Sequence, residues 1–104
     1  MLSERTSFVF GRSLIRRLVV RASAWTGITE AELLGIGRKR DTSWTRFAIA
    51  RVAHENGRSL WQIAGVFGQD HSSVLHGIQR SHVIEKQDAD FAELLRLLRI
   101  EARD

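Results

Sequence analysis

The sequence predicts a small all-α domain of about six helices with a helix-turn-helix near its centre, and three observations lead there. Its 104 residues include no proline and no tyrosine, so nothing breaks a long helix and the turn chemistry of a β-rich fold is thin. Apolar residues recur at spacings of three and four along most of the chain, the period of a helix that buries one face. Two capping boxes, Thr29 with Glu32 and Ser59 with Gln62, mark where helices start.

The elements follow in order. Residues 1–10 read as an N-terminal arm. A first helix over residues 11–25 carries Leu14, Ile15, Leu18, Val19, Ala22 and Trp25 on one face, with Arg16, Arg17 and Arg21 opposite. The Thr29 box opens a short helix to Leu34, which Gly35 stops. A basic loop, Gly35-Ile36-Gly37-Arg38-Lys39-Arg40-Asp41, comes next. Thr42 or Ser43 caps a third helix ending at Glu55, ahead of Asn56-Gly57, with Trp44, Phe47, Ala48 and Val52 inward. The Ser59 box opens a helix over 60–67, Gly68-Gln69 makes a tight turn, and Asp70 caps a helix over 71–86. In that helix Val74, Leu75 and Ile78 face the core. A break at Gln87-Asp88 leads to a last helix over 88–100, with Phe91, Leu94, Leu95 and Leu98 inward.

Length and patterning fit one domain spanning 1–104. A hydrophobic fraction of 43% suffices for a core without staples, and the absence of cysteine excludes disulfides and thiolate metal sites. No apolar run approaches the roughly 20 residues that cross a bilayer, and no secretory signal is legible, so a cytoplasmic protein is expected. The 16 cations against 12 anions give a net charge of +4, and 14 of the 16 are arginine. Residues 1–58 carry +6 and residues 59–104 carry −2, so the field is oriented. Arginine binds phosphate and guanine bidentately, although a GC-rich genome enriches it too.

The segment 59–86 has the grammar of a helix-turn-helix. Ile63 and Phe67 face the core, Ala64 permits a close crossing, and Gly68 suits a positive φ. His71, Ser72, Ser73, His76, Gln79 and Arg80 point outward, a face rich in hydrogen-bonding groups. The plain competing reading is a helical hairpin with a solvated face.

At these residues a resemblance enters. Gly68-Gln69-Asp70-His71-Ser72-Ser73-Val74-Leu75-His76-Gly77 resembles the signature of the DnaA replication initiator family, roughly G-G-R-D-H-[ST]-T-V-[LIM]-[HY]-[AGS]. Ile28 to Leu34, Arg38-Lys39-Arg40, Arg46 to Glu55 and Ser59 to Phe67 resemble further blocks of that family in the same order. The likeness spans about residues 11–100 and concerns only the initiator's C-terminal DNA-binding domain.

The resemblance implies a six-helix fold related to the Trp repressor that reads a nine-base-pair box. It implies that Arg38 enters the minor groove, while Asp70, His71, Ser72 and Ser73 read bases in the major groove. It further implies phosphate contacts from Lys39, Arg46, His54, Arg80 and the amide end of the 60–67 helix at Leu60 and Trp61. The chain departs from the family at Phe47, where glutamine is usual, and at His54, where lysine is common. Serines stand for both signature threonines, and the turn before Asp70 and the Asn56-Gly57-Arg58 connection are each short. These departures bear on the target sequence more than on the fold.

The expected partner is therefore double-stranded DNA, bound by a monomer at the nucleoid that competes with a full-length initiator. The alternative regulator is a helix-turn-helix protein, of phage origin among other sources, with a different operator. No cofactor and no enzymatic activity are expected, because no G-x-x-x-x-G-K-[ST] phosphate loop is present. His71, His76 and His82 lie five and six residues apart, which does not align them for a metal. The other rival is a protein-interaction module using its tryptophans. Against it, Trp25 and Trp44 are expected in the core and Trp61 exposed, with His76 half-buried.

Overall fold

A computed structural model describes the backbone of residues 2–103 and the side chains of residues 13–103. Within them are six helices and no strand: α1 (Leu2–Thr26), α2 (Glu30–Leu34), α3 (Arg40–Glu55), α4 (Leu60–Phe67), α5 (His71–Gln87) and α6 (Ala89–Arg103). Both capping boxes form as expected, at Thr29 and at Ser59. The arm expected over residues 1–10 is instead helical from Leu2 onward, continuous with α1. No proline interrupts that stretch, and Gly11 alone costs a helix only about 1 kcal/mol. Helix α3 also starts earlier than expected, at Arg40, and its N-cap residue Lys39 makes no side-chain cap. Neither Thr42 nor Ser43 caps it, because Thr42 is buried within the first turn.

Helix α3 is the hub, since among the described helices it alone packs against all five others. Its Ala48, Ile49, Val52 and Ala53 are fully enclosed. Around them lie Leu14, Ile15, Leu18 and Val19 of α1, Ile63 and Phe67 of α4, and Phe91, Leu94, Leu95 and Leu98 of α6. Polar pairs tie the outer helices to this hub. Arg51 Nη1 donates to Glu85 Oε1 at 2.6 Å, joining α3 to α5. Arg99 forms a two-pronged pair with Glu55, at 3.0 and 2.9 Å, joining α6 to α3. The Arg99 guanidinium holds the Glu55 carboxyl below its ordinary pKa, with Arg51 adding to the effect.

Two inward assignments are corrected. Leu75 is 41% exposed, and the buried stripe of α5 runs Val74, Gly77, Ile78, Ser81, Ile84. Small and polar residues occupy that stripe, so apolar periodicity does not reveal it. Ser81 is buried because its Oγ donates to the Ile78 carbonyl at 2.6 Å. Trp25 is 44% exposed, at the end of α1 where the helix leaves the core. It lines a groove of about 480 Å³ with Trp44, Phe91 and Leu94, rimmed by Asp41, Asp88 and Asp90. Trp44 is only partly buried there, edge-on to Phe91 at 6.1 Å between ring centroids.

Gly77 sets how closely α5 approaches α3. A Cβ at this position would stand 2.5 Å from Cδ1 and 3.0 Å from Cε1 of Phe47. Gly77→Ala should therefore lower stability even though alanine favours a helix. Overpacking costs about 1–3 kcal/mol against a propensity gain of about 1 kcal/mol. Urea unfolding should show this loss in the wild-type background and its disappearance in a Phe47→Ala background. Equal effects in both would mean that the two residues are uncoupled.

Candidate nucleic-acid interface

Local chemistry builds the helix-turn-helix. Ser59 Oγ accepts from the Gln62 amide at 3.0 Å, and Gln62 Oε1 accepts from the Ser59 amide at 2.9 Å. Together they satisfy two donors at the start of α4. Gly68 ends α4 in the left-handed region, φ 63° and ψ 35°, where a side chain would be strained. The chain then turns through Gln69, whose amide returns to the Ala64 carbonyl at 3.0 Å. Asp70 caps α5 as expected, its Oδ1 accepting from the Ser73 amide at 2.8 Å. That amide bond, first among the causes, holds the Asp70 carboxyl below its ordinary pKa.

The turn, the start of α5 and the loop over residues 35–38 border an open cleft of about 760 Å³. Gly35, Ile36, Gly37 and Arg38 form one wall, and Phe67, Gly68, Gln69, Asp70, Ser72, Ser73 and His76 form the other. Ser43, Arg46 and Phe47 of α3 make the floor. Four of the five residues expected to read bases, Arg38, Asp70, Ser72 and Ser73, thus line one cleft. The fifth, His71, does not line it. Its ring lies against Trp61 on α4, with centroids 4.2 Å apart and planes tilted by 34°.

The residues expected to touch phosphate divide. Lys39 and Arg80 are exposed and form no ion pair among the described residues. Leu60 and Trp61 occupy the first turn of α4, and Trp61 is exposed as expected. His54 is exposed too, but its Nδ1 is 3.0 Å from the Arg58 carbonyl oxygen, so one edge is spent closing the α3–α4 connection. Neither Lys39, His54 nor Arg80 lines the cleft.

Arg46 requires a correction. Instead of reaching outward to a phosphate, it is buried with 6% exposure. Its Nε donates to the Leu33 carbonyl at 2.7 Å and its Nη1 to the Gly37 carbonyl at 2.7 Å. Its Nη2 donates to the carbonyls of Glu32 and Gly35, at 2.8 and 2.7 Å. Four of the five guanidinium donors are therefore committed to backbone. They satisfy carbonyls that the five-residue α2 leaves open at its end, and they hold the loop that carries Arg38. Burial lowers the Arg46 pKa, yet a guanidinium stays charged at any ordinary pH.

The sequence reading omitted part of the cleft. Gln69 sits in its wall because the turn aims it there, and Phe47 sits in its floor because Gly77 leaves room beside it. His76 belongs to the outward face read from spacing, but it is exposed rather than half-buried. Among the described residues no helix is long and apolar enough to cross a membrane. Nor does any group of three or more His, Cys, Asp or Glu residues there stand ready to hold a metal ion. Compared with protein-family models, curated proteins and solved structures, the chain finds no match.

Arg46→Ala should lower stability by about 2–4 kcal/mol, because it strands the buried Leu33 carbonyl and three partly buried ones at once. Arg46→Lys should fail to rescue it, since three donors at one nitrogen cannot span four acceptors. Thermal melts with hydrogen exchange at residues 35–39 provide the check. An unchanged melting temperature would mean that the guanidinium works at the surface. Asp70 makes a separate prediction. Folding lowers its pKa, so the charged cap stabilises fully above the ordinary aspartate value of about 3.9 and is lost as pH falls through the lower folded value. The stability advantage of wild type over Asp70→Asn should accordingly be full near neutral pH and shrink as the pH falls below the ordinary aspartate range. A pH-independent difference in denaturant midpoints would contradict this.

Proposed function

We propose that this chain binds double-stranded DNA sequence-specifically through the α4–α5 helix-turn-helix and the basic loop beside it, and that it is not an enzyme. The observation that carries the reading is the cleft itself. Arg38, Asp70, Ser72 and Ser73 line the same opening, which supports a reading in which a groove-inserting cation works beside base-reading side chains. An exposed helix start bearing short polar side chains suits the major groove, and a guanidinium on a neighbouring loop suits the narrow, negative minor groove of A·T-rich DNA. Lys39, Arg80 and the amide end of α4 supply phosphate contacts on either side.

The same residues carry the resemblance to the DNA-binding domain of the DnaA initiators, and boxes of that kind are the first target to test. In this reading the chain occupies initiator-type sites without nucleotide or metal, in competition with a complete initiator. One observation favours a second reading, a regulator with its own operator. Phe47 lies in the cleft floor where the family carries an amide side chain, and an aromatic ring there offers apolar contact in place of hydrogen bonds.

Selection of duplexes from a random pool separates these readings, because an initiator-type box and an unrelated operator give different consensus sequences. Absence of any selected consensus would refute sequence-specific binding. Arg38→Ala should weaken the selected site by about 1–3 kcal/mol and relax preference at its A·T end. Asp70→Asn should leave the fold intact near neutral pH and erode discrimination at one base pair by a similar amount, about 1–3 kcal/mol. Arg80→Ala should weaken all duplexes alike and flatten the salt dependence by about one phosphate contact. Identical patterns for Asp70→Asn and Arg80→Ala would overturn the division between reading and clamping.

A further inference from the structure

Trp61, the second residue of α4, is 68% exposed, the most exposed of the three tryptophans. Burial does not explain a large apolar side chain placed there. One face of its indole lies against the imidazole of His71, with ring centroids 4.2 Å apart. His71 is the first residue of α5 and its side chain makes no hydrogen bond to any described residue, so this ring contact is what holds its side chain.

We propose that Trp61 is a positioning residue that aims His71, and thereby sets which base His71 selects. This rests on the DNA-binding reading above, with His71 added as a base reader as the family resemblance implies, and names the group that tunes it. Three features make Trp61 a firm support. Helix α4 is anchored below it by buried Ile63, Ala64 and Phe67. Its first turn is closed by the reciprocal Ser59–Gln62 hydrogen bonds. On the other side, the backbone around His71 is held by the Asp70 cap on Ser73. An exposed imidazole at a helix start otherwise samples several rotamers, and each ordered one costs entropy when DNA binds. A flat ring against a flat ring removes that cost in advance, because tilted aromatic pairs restrict both partners. The outer face of the indole remains free to lie along the DNA backbone.

The test joins one measurement on the free protein with one on the complex. In the free protein, the ring protons of His71 should be shifted upfield by the indole ring current in an NMR spectrum. Trp61→Ala should return them to ordinary positions, and Trp61→Phe should keep part of the shift. In the complex, Trp61→Ala should lower the preference for the selected duplex over its variants at the base pair His71 reads, by about five- to thirtyfold. Trp61→Phe should restore that preference to within about threefold. Trp61→Ala combined with His71→Ala should discriminate no worse than His71→Ala alone, because the two residues act as one unit.

Absence of the ring-current shift in the wild type would overturn the proposal without touching DNA binding. So would unchanged base preference in Trp61→Ala, or an equal loss on all duplexes, which marks a plain backbone contact. A melting temperature that falls while base preference stays would show a structural role only. A wild-type protein that bound no duplex would overturn both readings together.

Discussion

A buried guanidinium without a carboxylate beside it organises the working end of this protein. Arg46 enters from the hub helix α3 and meets four carbonyls, those of Glu32, Leu33, Gly35 and Gly37. Each side of this contact needs the other. The charge loses its hydration on burial, and four oriented carbonyl dipoles replace the lost water. The carbonyls, for their part, belong to the end of a five-residue helix and to a glycine-containing loop, where backbone partners are few: of the four, Glu32 alone also accepts from a backbone amide, that of Gly35 at 3.3 Å. The result is a short basic loop held in place beside the start of α5. Were the guanidinium at the surface, that loop would have two glycines and little to fix it.

The opposite wall of the cleft depends on a different constraint, the close approach of α5 to α3. Gly77 and Phe47 form a small-against-large pair, and the missing Cβ lets the ring lie between the helices. Because Phe47 also floors the cleft, the same contact that sets helix spacing shapes the surface presented to a partner. Stability and cleft geometry are therefore coupled at this point, whereas Arg38 and Arg80 lie far enough from the core to change without that coupling.

Charge is distributed in a way the net value hides. Arg17, Arg51, Arg96 and Arg99 are each paired with a glutamate, and they staple α1, α3, α5 and α6 or brace a single helix. Arg46 is consumed by backbone. Arg40 lies over the Trp44 ring at 4.8 Å and beside Asp41. Arg38, Lys39 and Arg80 carry no such partner among the described residues, and they border the helix-turn-helix. Arg16, Arg21, Lys86 and Arg103 are likewise exposed and unpaired among the described residues, so the free cations are spread over α1, the 35–39 loop, α5 and α6.

The sequence by itself determined the helical class, both ends of five of the six helices to within a few residues, and both sides of the cleft as local motifs. These features are short-range: Ser59 and Gln62, Thr29 and Glu32, Gly68, and Asp70 with Ser73 all act within one helical turn, so spacing reveals them. Only the tertiary structure decided that Arg46 faces inward, since its partners lie nine to fourteen residues away and are backbone atoms that no residue type announces. It alone showed Leu75 and Trp25 outside the core, and Gly77 and Ser81 inside it, because small or self-satisfied polar residues bury without an apolar signature. It alone set Trp61 against His71. The physical reason is common to these cases. A cap or a turn is satisfied by neighbours in the chain, while a long polar or aromatic side chain takes whichever partner the packing of helices brings within reach.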